Sequence, residues 1–172
     1  MPRNVEIKAR VCDIAAVRER AEALTDTPVE ALRQTDTFYR VPKGRLKLRV
    51  FPDRPCELIY YSRADSAGAK TSEYHIVRSD DPEAFSRVLG AVFEVRGVVR
   101  KIRFLYRIGH TRIHLDEVEG LGSFMELEVV LEDEQSEDEG AAIANEHLES
   151  LGIAPDDLVA GAYIDLLEAR TS

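Results

Sequence analysis

Asn4-Val5-Glu6-Ile7-Lys8-Ala9-Arg10-Val11 alternates polar and apolar side chains one by one. Successive side chains of a pleated strand project to opposite faces, so Val5, Ile7, Ala9 and Val11 share one face and Asn4, Glu6, Lys8 and Arg10 the other. The apolar face requires a core. What the charged face meets decides the fold.

The same period recurs along the chain. Leu46, Leu48 and Val50 oppose Arg45, Lys47 and Arg49, and residues 57 to 63 form a further strand ending in Arg63. Between 98 and 106, Ile102, Phe104 and Tyr106 alternate with Lys101 and Arg103; between 112 and 118, Ile113 and Leu115 alternate with Arg112, His114 and Asp116. The last strand, 124 to 131, sets Met125, Leu127, Val129 and Leu131 against Glu126 and Glu128. Helices fall between and after these strands. Asp13 caps one carrying Ile14, Val17, Ala21 and Leu24, and Asp81-Pro82 opens a second with Phe85, Val88 and Leu89 at helical spacing. Ser136 and Glu139 form a capping box before Ile143, Ala144, Leu148 and Leu151, Gly152 is the stop, and a shorter helix covers Tyr163, Leu166 and Leu167. Turns fall at Pro42-Lys43-Gly44, Asp65-Ser66-Ala67-Gly68 and Gly120-Leu121-Gly122. Strands joined by short turns, with helices interspersed, predict an α+β fold on a largely antiparallel sheet.

Size and composition set the outer bounds. The 172 residues, 44% apolar and 32% charged, are those of one soluble globular domain spanning 1–172. No stretch is long and apolar enough to span a membrane and the amino end lacks a signal region, which predicts a cytoplasmic protein without a membrane partner. Cys12 and Cys56 belong to no CxxC pair, so neither a disulfide scaffold nor a zinc site is expected. A formal net charge of -9 argues against a protein that coats nucleic acid.

Two readings of the charged face stay open on pattern alone. An antiparallel sheet can leave one face in water. Alternatively the sheet curls on itself, and side chains of both signs line an interior that must hold an ion or a polar ligand. In the closed case the face suits a triphosphate, because Arg forks and Lys ammoniums hold phosphate oxygens while Glu6, Glu126 and Glu128 offer carboxylates to hard cations such as Mg²⁺ or Mn²⁺. His114, between Ile113 and Leu115, reads as a structural histidine, and Tyr39, Tyr74 and Tyr163 as wall or packing groups.

Asn4-Val5-Glu6-Ile7-Lys8 resembles the ExExK motif of CYTH proteins, the group named for class IV adenylyl cyclases and thiamine triphosphatases. The likeness continues through 34–39 (QTDTFY), 44–49 (GRLKLR), 58–63 (LIYYSR), 72–74 (SEY), 101–103 (KIR), 113–122 (IHLDEVEGLG), 124–128 (FMELE) and 162–167 (AYIDLL), in order along nearly the whole chain. The resemblance implies a closed antiparallel barrel-like tunnel of about eight strands with helices packed outside. It implies catalytic roles for Lys8, Arg49 and Lys101, triphosphate binding by Lys47, Arg63, Lys70 and Arg103, and metal binding by Glu6, Asp116, Glu126 and Glu128, with Asp116 alternatively orienting a basic side chain. The implied cofactor is Mg²⁺ or Mn²⁺ and the implied partner a small-molecule triphosphate such as ATP or thiamine triphosphate; a homodimer is compatible with the family. The 115–122 (LDEVEGLG) and 163–167 segments look closest to class IV adenylyl cyclases, which convert ATP to cyclic AMP and pyrophosphate. The alternatives are hydrolysis of thiamine triphosphate, a nucleoside triphosphate or tripolyphosphate, and a non-catalytic polyphosphate or nucleotide binder. The first Glu of the motif is Asn4 here, which replaces a charged ligand by a neutral carbonyl.

Overall fold

The computed structural model describes residues 3–25 and 27–172. Its strands are β1 (Arg3–Arg10), β2 (Glu30–Tyr39), β3 (Arg45–Val50), β4 (Cys56–Arg63), β5 (Lys70–Ser79), β6 (Val95–Ile108), β7 (Thr111–Val118) and β8 (Gly122–Val130). Its helices are α1 (Ile14–Leu24), α2 (Pro82–Val92), α3 (Glu137–Leu151) and α4 (Tyr163–Thr171), with a short 3₁₀ turn at Pro155–Asp157. The strands close into a barrel in the order β1-β5-β4-β3-β2-β6-β7-β8, with every pairing antiparallel and β8 returning to β1.

Closure answers the question left by the alternating pattern. On β1, Val5, Ile7 and Ala9 are 2%, 1% and 0% exposed, and Asn4, Glu6 and Lys8 on the opposite face are 4%, 7% and 2% exposed. A sheet open to water on one side would bury only the first set. The charged face is therefore the inside of the barrel.

The apolar faces lie outside, under the helices. Val5, Ile7, Ile113, Leu115, Met125 and Leu127 pack with Val17 and Ala21 of α1 and Ala144, Leu148 and Leu151 of α3. On the far side Leu89 of α2 covers Tyr39, Leu48 and Cys56. The helix boundaries follow the expected chemistry: Asp13 and Asp81 accept hydrogen bonds from the N–H groups of Ala16 and Ala84, Ser136 and Glu139 complete a reciprocal box, and Gly152 stops α3 at φ 72°. Among the described residues no helix is long and apolar enough to cross a membrane.

Two strands had no alternation to announce them. The inward positions of β2 are Leu32, Gln34, Asp36 and Phe38, and its outward ones include Arg33, Thr35 and Tyr39, so polar and apolar groups mix on both faces. On β5 the outer-face residues Glu73, His75 and Val77 are exposed, Val77 at 55%. Of these strands the family likeness marks only Gln34–Tyr39, Lys70 and Ser72–Tyr74. A bulge opposite Phe38 and Tyr39 displaces β6 by one residue and turns Arg96 toward Asp165 and Glu168 of α4.

Candidate functional site

The hollow of the barrel has a volume of about 300 Å³. Charged side chains line it over its whole length. One end is stopped by the start of α4: Tyr163 packs edge-on against Phe124, with ring centroids 5.1 Å apart, inside an apolar cluster with Phe38, Val99 and Ile164. The other end opens between Glu30, Arg54, Glu57, Arg78, Arg107 and Arg112.

Next to the stop, bases from β1 and β4 are anchored by the chain itself. Lys8 Nζ donates to the Gly161 carbonyl at 3.0 Å, meets Glu126 Oε1 at 3.3 Å and lies 4.1 Å from the centre of the Tyr163 ring. Arg63 donates to the same carbonyl at 3.1 Å and pairs with Glu6 at 2.9 Å. Burial lowers the proton affinity of the Lys8 ammonium despite Glu126, and raises that of the Glu6 carboxyl despite Arg63.

Two buried aspartates organise the other bases. Arg49 grips Asp36 through two bonds of 2.8 Å, Lys47 Nζ reaches the same carboxylate at 3.0 Å, and Lys101 Nζ stands 3.7 Å away. Burial alone would raise the Asp36 carboxyl, but Arg49, Lys47 and Lys101 hold it well below the usual carboxylate range. Burial, helped by Arg49, pushes the Lys47 ammonium down to about 8, and burial, helped by Arg103, takes Lys101 well below the ordinary lysine value. The second aspartate, Asp116, receives Arg103 through bonds of 2.7 and 2.6 Å and the Tyr163 hydroxyl at 2.7 Å. Arg103 extends to Glu126 at 3.2 Å.

The carboxylates gather on one wall. Pairing of β1, β8 and β7 sets Glu6 opposite Glu128 and Glu126 opposite His114. One ligand atom each from His114, Glu126 and Glu128 lies within 4.8 Å of the others. Burial opposes ionisation of Glu126, yet Lys8 and Arg103 hold its carboxyl well below its ordinary value, so it is an anion at neutral pH. Asn4 Oδ1 and His114 Nδ1 are buried without a hydrogen-bond partner. Buried polar atoms without partners are rare in a finished fold, and carboxylates converging beside them are the donor set of a divalent cation. The residues present fit such an ion.

Of the residues singled out by sequence, Lys8, Lys47, Arg49, Arg63, Lys101, Arg103, Glu6, Glu126 and Glu128 all line the hollow. Lys70 and Asp116 do not. Lys70 Nζ donates to the Ser66 carbonyl at 2.8 Å beside the stopped end, and both oxygens of Asp116 are taken up by Arg103 and Tyr163. Sequence reasoning gave no role to Asp36, although it is the counter-charge of three bases; the clue was that Lys47, Arg49 and Lys101, once enclosed, required an anion between them. It also read His114 as a structural histidine and Tyr163 as a wall residue, and had no means of finding the Gly161 carbonyl, which only the path of the chain brings to Lys8 and Arg63.

Comparison with known proteins agrees with this architecture. The sequence model of the CYTH domain matches residues 2–163. A Methanocaldococcus jannaschii protein provisionally named an adenylate cyclase is 27% identical over 171 residues, covering 95% of this chain and 97% of that protein. A solved structure from Pyrococcus horikoshii superposes with a TM-score of 0.82 at 24% identity, covering 95% of this chain and 98% of the other. A Hippeastrum protein, described as an adenylyl cyclase candidate with a dominant triphosphatase activity, has a TM-score of 0.66 at 19% identity, with 92% of this chain and 91% of that one covered.

Proposed function

The chain belongs to the CYTH domain family, and we propose that it is a divalent-metal-dependent enzyme that breaks a phosphoanhydride bond of a triphosphate held inside the barrel. The observation that carries this reading is the enclosure together of six bases, Lys8, Lys47, Arg49, Arg63, Lys101 and Arg103, with the carboxylates Glu6, Glu126 and Glu128. Enclosed charge of both signs is costly unless a ligand completes it, and a metal-bound triphosphate supplies the missing anion and cation together.

Phosphoryl chemistry asks little covalent work of a protein; positioning and charge stabilisation do most of it. Lys47, Arg63 and Arg103 hold phosphate oxygens along the hollow, while Lys8, Arg49 and Lys101 face the reacting phosphorus and stabilise the charge that builds on it. Arg49 and Arg103 need no reorganisation for this, because Asp36 and Asp116 already fix their planes. Glu6, Glu126 and Glu128, with the Asn4 carbonyl, would hold Mg²⁺ or Mn²⁺. Bound there, such an ion would supply neutralisation of phosphate charge.

The attacker distinguishes two activities. Attack by the ribose 3′ hydroxyl on the α phosphorus of ATP forms cyclic AMP and releases pyrophosphate, the reading favoured by the name of the M. jannaschii relative and by the 115–122 and 163–167 segments. Attack by water on the terminal phosphorus releases orthophosphate. This second reading is favoured by the modest volume of about 300 Å³, lined chiefly by phosphate-type and metal-type groups. Incubation with ATP, thiamine triphosphate or tripolyphosphate plus Mg²⁺ or Mn²⁺, with separate assays for cyclic AMP, pyrophosphate and orthophosphate, assigns the branch. Tight binding with no product from any of the three would leave only a passive binder. Glu126→Ala and Arg49→Ala each abolish turnover with an unchanged circular dichroism spectrum; full activity in both would place the site elsewhere.

A further inference from the structure

His114 stands apart from the other groups of the metal wall. It lies opposite Glu126 on the β7–β8 ladder, faces the hollow and is 4% exposed. Its Nδ1 has no hydrogen-bond partner. The nearest carboxylate oxygen, Glu126 Oε2, is 3.9 Å away, beyond hydrogen-bonding range but suited to two donors that share an ion between them. One imidazole nitrogen of His114 also belongs to a group of ligand atoms, completed by Glu126 and Glu128, that lie within 4.8 Å of one another. On the same wall the Asn4 carbonyl oxygen is likewise buried and unpartnered. The wall therefore offers one fewer charged oxygen than the ExExK pattern prescribes and one nitrogen that the pattern does not mention.

We propose that His114 Nδ1 is a direct ligand of the divalent ion, and that the site consequently selects first-row transition ions, Mn²⁺ and Co²⁺ among them, over Mg²⁺. The proposal rests on the reading that the hollow holds such an ion with a triphosphate. Mg²⁺ is a hard cation that takes oxygen ligands in near-ideal octahedra, whereas imidazole nitrogen suits the transition series. Exchange of one carboxylate for a carboxamide removes Coulomb attraction equally for any dication. Adding an imidazole restores affinity only for ions that bind nitrogen well, so the two departures together shift preference rather than merely weaken binding.

Pulsed electron paramagnetic resonance of Mn²⁺ bound to the wild-type protein, alone and with a methylene-bridged tripolyphosphate that resists cleavage, reads the ligand directly. The expected result is ¹⁴N modulation from a coordinated imidazole, lost in His114→Gln. Calorimetric titration of the same variant with Co²⁺ and with Mg²⁺ should show the Co²⁺ to Mg²⁺ affinity ratio falling by about tenfold or more, with Mg²⁺ binding little changed. Bound Mn²⁺ without nitrogen modulation, or an unchanged affinity ratio, overturns the proposal and leaves the triphosphate reading standing. Failure of Mn²⁺ to bind under either condition overturns both. Should His114→Gln not fold, the wild-type spectrum decides alone.

Discussion

Asp36 is the residue on which the basic side of the hollow depends, since Arg49, Lys47 and Lys101 share its carboxylate. Asp36→Asn keeps the shape and removes the one carboxylate that all three share. Breaking a buried pair from one side costs about 3–5 kcal/mol, so urea denaturation of this variant should show a loss of that size, partly recovered when saturating tripolyphosphate supplies the anion. Lys47 makes a second prediction. Its ammonium sits at about 8 because burial, Arg49 and Arg103 outweigh Asp36, and its other close neighbours are the rings of Phe38 and Tyr61. A bound polyanion favours the charged form, so binding draws a proton onto Lys47 above pH about 8, and affinity falls as pH rises through that value. In the empty protein the sign is opposite for stability: between about 8 and the ordinary 10.5 the unfolded chain holds this proton more tightly, so the Lys47 contribution to stability grows with pH. Calorimetry of tripolyphosphate binding in two buffers of different ionisation heat measures the uptake, and Lys47→Arg, charged throughout, should flatten the profile. The charged lining residues of β1, β3, β6, β7 and β8 were legible in sequence because each sits at a period-two position. The aspartates behind them were less so, for a clamp that crosses from one strand to its neighbour, as Arg49 to Asp36 and Arg103 to Asp116 do, leaves no spacing within either strand to read.

At the level of elements, the helices hold the barrel closed through close seating, and α3 shows how close. A Cβ built at Gly140 would stand 2.5 Å from Leu131 Cδ2 and 2.8 Å from Val5 Cγ2, side chains fixed in the core between α3, β1 and the end of β8. Helix propensity alone would make Gly140→Ala favourable by up to about 1 kcal/mol, whereas overpacking costs about 1–3 kcal/mol. The second effect should win, giving a lower thermal midpoint by calorimetry; an unchanged or raised midpoint would mean that α3 lifts off its seat without penalty. The caps of α1, α2 and α3 were readable to the residue, because Asp13, Asp81 and the Ser136–Glu139 box act within one turn. β2 and β5 were not. Their partners are set by the closed sheet, and Asp36 is tolerated in the interior only because β3 and β6 bring Arg49, Lys47 and Lys101 to it. Such tolerance belongs to the tertiary arrangement and leaves no alternation in the strand itself.

For the molecule as a whole, a chain of formal net charge -9 is proposed to admit a polyanion, and the distribution of charge resolves the conflict. One end of the hollow is stopped by Tyr163 and its apolar neighbours. The open rim carries Arg54, Arg78, Arg107 and Arg112 beside Glu30 and Glu57, with arginine side chains 40%, 66%, 46% and 34% exposed respectively, while Arg54 also meets Asp53 and Arg112 pairs with Glu128 further in. Mouths lined by one sign of charge focus the field and raise the encounter rate of the opposite charge, even where the rest of the surface repels it. Alternation alone could not reveal this, since an open sheet with the same strands would have no rim. Arg78 and Arg107 pair only with Glu57 and Glu30 among the described residues, and have no place in the proposed chemistry. The double change Arg78→Glu and Arg107→Glu should therefore slow association of tripolyphosphate by about tenfold at low salt, with dissociation nearly unchanged. The difference should shrink as ionic strength brings the screening length below about 8 Å. Stopped-flow measurement across a salt series tests this, and a slowed rate that ignores salt would mean that ligand reaches the carboxylate wall by a route other than this rim.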